Sequence, residues 1–451
     1  MKVAIVGAGP AGFYSAAHLL KAGSQVDLFD MLPTPFGLVR AGVAPDHPNI
    51  KAVTRMFDKT AALEGFRFFG NVEVGAAITP DELAVHYDAV IYAVGAATDR
   101  HMSIAGEELA GSHAATEFVA WYNGHPDYAD LEFDLSAERV AVIGNGNVAI
   151  DVARMLVLSD EELRVTDVAD HALEAFRASA VREVLIVGRR GPAQAAFTNP
   201  EVLELGELDG ADVHIDPADA ALDALSAKWL EDFGDKTHRV NVATIKGYAQ
   251  RPVTDAPRRI VLRFLASPVA IHGDERVEAI ELERNVIAED DGRLVARGTG
   301  ATETIPVGLV FRSIGYRGVP LAGLPFDGSR GVIPNVGGRV IGDDGEHVAG
   351  LYVAGWIKRG PSGVIGTNKQ DGVQTAKALL EDHEAGILSP PERDDEALLE
   401  LLGERCPDVV SFAGWQAIDE VERGAGEPQG RPRVKLVRRE ALNDAAQGVA
   451  R

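Results

Sequence analysis

The chain has 451 residues, 46% of them hydrophobic and 25% charged, a globular composition long enough for two or three domains that each bury a core. A formal net charge of −24 excludes a general basic footprint for nucleic acid or an anionic membrane surface. The single cysteine, Cys406, excludes an intramolecular disulfide framework, a redox CxxC pair and a cysteine-ligated zinc or iron–sulfur centre within the chain, and no metal site is expected.

The N-terminal stretch MKVAIVGAGPAG has one lysine and a short apolar run, but Gly7, Gly9 and Pro10 break that run too early for a signal peptide. Nowhere are 18 apolar residues consecutive, so a cytoplasmic protein without membrane insertion is expected. The same stretch reads as a strand followed by GxGxxG at Gly7, Gly9 and Gly12, ahead of the helical FYSAAHLLKAG. In such a loop the first glycine permits the tight turn, the second lets backbone approach a pyrophosphate, and the third lets helix pack on strand. The next strand, QVDLFD, ends at Asp30, 23 positions beyond Gly7, where a carboxylate takes ribose hydroxyls.

Residues 31–48, MLPTPFGLVRAGVAPDHP, are rich in proline and glycine and suit a rigid loop crossing the face of a ring system. Leu38 offers an apolar contact there, while His47 is either a proton-handling or nicotinamide-positioning group or a structural histidine. The run AVIYAVGA, ending at Ala96, reads as the strand by which the first domain hands over to the second. Arg100 beyond it either meets a cofactor phosphate or is an exposed linker arginine.

A second fingerprint follows in RVAVIGNGNVA, with Gly144, Asn145, Gly146, Asn147, Val148 and alanine in the third glycine's place at Ala149. The next strand of that unit, EVLIVG, closes on Arg189 and Arg190, 45 positions after Gly144. The excess length lies in a polar helical insertion from Leu158 to Ser179. A carboxylate at this strand end would repel an adenosine 2′-phosphate, whereas planar guanidinium groups pair with it, so the arginines select NADP(H) over NAD(H). Because a hydride from nicotinamide needs a bound acceptor, the two loops suggest a flavin in the first domain and a nicotinamide in the second.

A Gly/Pro-rich passage, Gly315 to Gly345, reads as a crossing linker and hairpin. It leads into GLYVAGWIKRGPSGVIGTNKQDG, again strand, loop and helix, so the second domain is inserted into the first. The helix N-terminus opened by Gly363, Val364, Ile365, Gly366 and Thr367 can present N–H groups to a flavin carbonyl. Beyond residue 390, a helical piece at Asp394–Gly403 and the basic GRPRVKL read as a covering subdomain or a partly ordered terminus, with no chemistry assigned.

The segments GxGPAG, MLPTPFGLVRAGVAPDHP, VIGNGNVAIDVAR, GRRGPAQAAFT and VAGWIKRGPSGVIGTNK together resemble the adrenodoxin reductase family, in particular its bacterial ferredoxin–NADP(+) reductases. The resemblance runs from residue 1 to about 380 and returns at GEPQGRPRVKL. It implies an α/β fold of two Rossmann-like dinucleotide-binding domains, with an NADP domain (101–316) inserted into an FAD domain (1–100 and 317–451, the latter with a C-terminal extension). The implied activity is hydride transfer from NADPH to FAD, then single-electron transfer to a ferredoxin or similar small iron–sulfur protein, by a monomer.

By position, the resemblance places FAD near Ala11, Asp30, Leu38, Val74, Trp356 and the turn Gly363, Val364, Ile365. NADP falls to Arg100, Asn145 to Val148, Arg189, Arg190, Glu201 and Gly363, and His47 with Glu204 becomes a catalytic pair beside the reacting rings. Trp356 stands where many flavoprotein reductases have aspartate, in agreement with this family; Pro200, just before Glu201, loosens the alignment of Glu201 and Glu204. Thioredoxin reductases, which need CxxC, and the cysteine-rich glutamate synthase small subunit are excluded by the lone cysteine. An FAD- and NADPH-dependent monooxygenase, another flavin reductase and a non-catalytic nucleotide-binding regulator stand as alternatives. Docking of an acidic ferredoxin on this acidic chain calls for a local basic surface, for which Arg154, Arg177, Arg182, Lys358 and Arg359 are candidates.

Overall fold

The computed structural model describes residues 1–363 and 365–448, so Val364 lies outside the described residues. The chain divides into two compact units: Met1–Thr98, Asn123–Ala129 and Tyr316–Arg451 form one, Asp99–Tyr122 and Asp130–Gly315 the other. The second unit is therefore not one uninterrupted stretch, because Asn123–Ala129 belongs with the first.

In the first unit, strand Lys2–Val6 sends Val3 and Ile5 into one core cluster and Ala4 and Val6 into another. Burial on both faces is what a continuous apolar strand of a doubly wound sheet requires. The seven-stranded sheet runs in the order Asn335–Val336, Arg339–Ile341, His347–Val353, Ala89–Tyr92, Lys2–Val6, Gln25–Phe29, Phe66–Phe69. Its five strands from His347–Val353 onward are parallel, and the first two form an antiparallel hairpin edge. The run AVIYAVGA stops being a strand at Tyr92, although Ala93 N–H still reaches the Val6 carbonyl at 2.7 Å.

The C-terminal segment is a covering subdomain. Helices Asp395–Arg405, Phe412–Gly426 and Arg439–Ala446 send Leu398 and Leu402 into one core cluster of the sheet and Trp415, Ile418 and Leu442 into the other. Cys406 is buried there, and burial raises its thiol pKa.

The second unit carries a six-stranded, all-parallel sheet in the order Ser112–Ala114, Leu309–Arg312, Arg139–Ile143, Glu183–Gly188, Arg258–Phe264, Ala211–Ile215. A three-stranded antiparallel sheet, Ala266–His272, Ala279–Asp290 and Arg293–Pro306, packs part of its apolar side into the same core through Ile271, Ile280 and Leu282. Phe118 anchors an aromatic cluster, with Phe311 at 4.5 Å, Phe133 at 5.0 Å and Trp121 at 5.4 Å between ring centroids. Among the described residues no helix is long and apolar enough to cross a membrane.

Phe118 has no exposed surface, so Phe118→Ala should cost about 3–5 kcal/mol of stability by denaturant unfolding. A loss below about 1 kcal/mol would show that the ring stack does not hold the unit together.

Candidate functional site

In the first unit the three glycines differ in what surrounds them. Gly7 has φ +108°, and a β-carbon there would stand 2.5 Å from the Ala93 carbonyl oxygen. Gly12 lies in helix Pro10–Lys21, and a β-carbon on it would meet the Gly7 carbonyl oxygen at 2.1 Å. Gly9, the helix N-cap, has no neighbour within 4 Å of that position among the described residues. Gly7 and Gly12 are thus fixed by packing, whereas Gly9 leaves open the space that a pyrophosphate needs beside a helix N-terminus.

Asp30 closes this loop from the neighbouring strand end. Its Oδ2 accepts the Ala8 N–H at 2.8 Å and its Oδ1 the Leu32 N–H at 2.9 Å. Burial pushes the carboxyl pKa up to about 6, against the pull of those two N–H groups and of Arg439. Phe36 N–H donates to the Ala8 carbonyl at 2.8 Å, so residues 36–38 stand against the glycine loop. Leu38 begins the short helix Leu38–Ala41 and is 38% exposed, available to an apolar ligand. Val74 is buried in the core of the sheet with Val6 and Val72. His47 is buried and caps the turn Pro48–Lys51, its carbonyl accepting the N–H of Ile50 and Lys51 at 3.2 Å each.

The late segment returns to the same place. Helix Ile365–Glu384 crosses Pro10–Lys21 where both are thin: a β-carbon on Gly372 would lie 2.8 Å from the Ala11 carbonyl, and Ser15 Oγ donates to the Gly372 carbonyl at 3.2 Å. Ala11 Cβ also lies 2.8 Å from where a β-carbon on Gly355 would be. Trp356 follows Gly355; its ring packs 5.1 Å from Tyr316, and its buried Nε1 has no hydrogen-bond partner among the described residues. Ala11, Asp30, Leu38 and Trp356 thus lie on segments that converge on one glycine loop, with Gly363 and Ile365 at the start of the helix packed on it.

In the second unit the fingerprint repeats with the same logic. A β-carbon on Gly144, at φ +132°, would meet the Ser313 carbonyl oxygen at 2.1 Å, whereas Gly146 is open. Asn145 accepts the Ala196 N–H on its carbonyl at 3.0 Å, and its buried Nδ2 has no partner among the described residues. Asn147 Oδ1 accepts the Thr198 N–H at 2.8 Å, tying AAFT to the loop; Val148 is part-buried in the first turn of helix Asn147–Val157. Arg189 is exposed and Arg190 part-buried at the end of Glu183–Gly188, and Asn285 Nδ2 holds the Arg189 carbonyl at 2.9 Å. Burial, then the charge of Arg189, lowers the Arg190 pKa. Arg100 is exposed, its N–H donating to the Gly315 carbonyl at 3.1 Å.

Pro200 sits at the start of helix Asn199–Glu204, where its missing N–H costs nothing. Arg154 Nη1 donates to Glu204 Oε2 at 2.8 Å and lies 3.6 Å from Glu201 Oε2, while its Nη2 reaches Asp151 at 3.0 Å.

A pyridine nucleotide-disulphide oxidoreductase family model matches residues 1–186. The chain is 52% identical to NADPH-ferredoxin reductase FprA of Mycobacterium tuberculosis over 447 residues, covering 96% of each. It is 41% identical to the mitochondrial NADPH:adrenodoxin oxidoreductase of Arabidopsis thaliana, covering 99% of this chain and 95% of that one. The chain belongs to the adrenodoxin reductase family. The solved structure of M. tuberculosis FprA in complex with NADPH aligns with a TM-score of 0.92 at 50% identity, over 99% of both chains. The family's two Rossmann-like α/β domains are the fold described above.

Within this family member, the basic docking surface expected from sequence needs correction. Arg154 is 2% exposed and Lys358 8% exposed, so neither is a surface cation. Arg154 compensates Asp151, Glu201 and Glu204, and Lys358 Nζ sits 2.6 Å from Asp371 Oδ1. Arg359 serves the same aspartate at 3.6 Å, and Arg177 pairs with Asp160; Arg182 is exposed. A charge inside a folded chain is kept only with a partner, a distinction invisible in a count of basic residues. Sequence reading also missed Asp371, whose carboxylate accepts the Gly355 N–H and so fixes the turn before Trp356, and Asn285, which holds Arg189. Neither stands at a distinctive spacing; only the short distance of Asp371 from the family motif could have flagged it.

Gly9→Ala should fold but lose flavin, because the added methyl fills the open space, whereas Gly12→Ala should be destabilised by about 1–3 kcal/mol or more through overlap with the Gly7 carbonyl. Flavin content and unfolding midpoints of the two variants distinguish these effects; the reverse pattern would refute the assignment of roles.

Proposed function

We propose that this chain is an FAD-containing ferredoxin–NADP(+) reductase that takes a hydride from NADPH and passes electrons singly to a ferredoxin or similar small iron–sulfur protein, in a reaction reversible in principle. The observation that carries it is the contrast between two strand ends: a carboxylate, Asp30, beside one glycine loop and two adjacent guanidinium groups, Arg189 and Arg190, beside the other. A carboxylate accepts ribose hydroxyls and repels a phosphate, while guanidinium groups do the opposite. The names of the relatives, NADPH-ferredoxin reductase and NADPH:adrenodoxin oxidoreductase, support the same reading.

The residues present fit a flavin in the first unit: the space at Gly9, the unsatisfied Nε1 of Trp356, the apolar face of Leu38 and the N-terminus of Ile365–Glu384 all suit it. Bound FAD supplies the conversion between two-electron and one-electron chemistry that no side chain of the chain can perform. Asp30 binds and orients the ribose, Gly9 admits the pyrophosphate, and Gly363 and Ile365 offer N–H groups to the ring. In the second unit Asn145 to Val148 bind the NADP pyrophosphate, Arg189 and Arg190 the 2′-phosphate and Arg100 a phosphate, with Glu201 also an NADP contact. By the same resemblance His47 and Glu204 are each assigned to the reacting rings, for positioning and proton handling. On this reading residues 1–100 and 317–451 are the FAD domain and 101–316 the NADP domain, except that Asn123–Ala129 belongs with the first unit. We further place the protein in the cytoplasm as a monomer; a lone, buried cysteine suits a reducing compartment.

The purified protein should show flavin absorbance that NADPH bleaches, with electrons passing to ferredoxin and then cytochrome c. Arg189→Ala with Arg190→Ala should raise the KM for NADPH by on the order of 100-fold and leave NADH little changed, since each lost hydrogen bond to a charged group costs roughly 1.5–3 kcal/mol. Equal losses with both cofactors would sink the specificity assignment; hydroxylation or rapid peroxide release without ferredoxin reduction would sink the reductase.

Asp30 gives a pH signature. Its folded pKa of about 6 lies above the ordinary value of 3.8, so the stability it contributes to the flavin-free chain is present below about pH 4 and fades as pH rises through 6. Ribose hydroxyls favour the ionised form, so FAD retention should weaken as pH falls through about 6. Asp30→Asn should flatten that dependence; an unchanged profile, measured as FAD release between about pH 5 and 7.5, would remove Asp30 from the binding site.

A further inference from the structure

The C-terminal segment, to which sequence reading assigned no chemistry, grips the backbone that stands against the glycine loop. Helix Phe412–Gly426 carries Trp415 and Glu422 two turns apart, hence on one face. Glu422 has no exposed surface, and its carboxylate accepts Arg40 Nη1 at 2.8 Å and Nη2 at 2.5 Å, Arg433 Nη1 at 3.0 Å and the Leu436 N–H at 2.9 Å. Four donors, three of them from guanidinium groups, make a buried carboxylate tolerable and give it a single geometry. Arg40 belongs to the short helix that begins at Leu38, and Lys435 Nζ donates to the Arg40 carbonyl at 3.3 Å.

Trp415 acts on the preceding turn. Its ring meets the edge of Phe36 at 5.5 Å and lies 5.2 Å from the Arg40 guanidinium. Phe36 adopts φ +85°, a region that non-glycine residues enter at a cost and keep only where surroundings fix them. Those surroundings are the Ala8 carbonyl, which accepts the Phe36 N–H, and the rings of Trp415, Phe13 and Phe57, of which Trp415 is the one supplied by the C-terminal segment. Gly37, next in line, would bring a β-carbon within 3.0 Å of Gly9 Cα. A shift of the 36–40 backbone therefore reaches the residue whose open space admits the pyrophosphate.

We infer that Glu422 and Trp415 are positioning residues of the flavin site, acting through Arg40 and Phe36 to hold residues 36–40 against the glycine loop, so that the C-terminal helix sets how tightly FAD is held and what its ring senses. This rests on the first unit being the flavin site. The test uses the holoenzyme. Glu422→Gln keeps the shape and removes the charge; FAD should leave on dilution on the order of tenfold faster, as loss of charge-assisted hydrogen bonds implies, with a changed flavin absorption band and an unchanged KM for NADPH. Arg405→Gln breaks the exposed pair between helix Asp395–Arg405 and Glu82 and should release FAD at the wild-type rate. If both variants release FAD equally fast, general loosening of the C-terminal helices explains the effect and the clamp is overturned. Should Glu422→Gln fail to fold, Arg40→Lys, which keeps charge but loses the two-pronged contact, decides by the same readouts. Wild-type release and an unaltered band in the variant that folds would overturn the clamp alone, whereas a wild-type protein purified without flavin would overturn the flavin reading and the clamp with it.

Discussion

Helix Pro10–Lys21 is thin on two sides, and the first unit depends on it. Towards the sheet, Gly12 lies under the Gly7 carbonyl with no room for a methyl group; towards Ile365–Glu384, Ser15 and Ala11 meet Gly372 at backbone distance. These approaches bring the first and last parts of a discontinuous unit together, so the residues separated by the inserted unit share one core. A larger side chain at any of these positions would push apart the segments that carry Asp30, Leu38 and Trp356. Close packing transmits such displacements because interiors have little free volume to absorb them.

The two units solve the same problem with the same backbone and opposite charges. Each has a glycine locked by a carbonyl, Gly7 or Gly144, with Gly12 a second in the first unit; each leaves one glycine open and carries a charged group at the next strand end. Asp30 is held by two N–H donors and pushed towards neutrality by burial, while burial and the neighbouring charge of Arg189 lower the Arg190 pKa. The fold supplies position, and a few side chains supply the choice of ligand.

The buried ion pairs show a different use of charge. Glu422 with Arg40 and Arg433, Asp371 with Lys358, and Arg154 with Glu204 each tie a loop or helix of one unit to a partner distant in sequence or on the next element. Such pairs contribute more to a defined geometry than to net stability, since desolvation offsets much of their attraction. They surround the proposed cofactor segments, where geometry matters most.

Much of this was legible in the sequence. The glycine fingerprints, the strand ends at Asp30 and Arg190, and the late VAGW segment could be read because each is local: a turn that demands glycine, a strand a few residues long, a group at a fixed distance along the chain. The boundaries were less legible, as Asn123–Ala129 shows by joining the first unit across the insertion. Least legible were the charges. Nothing in the sequence separates Arg189, left facing solvent, from Arg154, closed in among three carboxylates, or tells that GRPRVKL would lock onto residue 40 rather than fray. Local backbone chemistry determined where the two glycine loops and their strand ends lie, because it acts between neighbours in the chain; which charged groups are satisfied inside the fold and which are left exposed was decided by tertiary structure alone, because electrostatic pairing depends on distance in space.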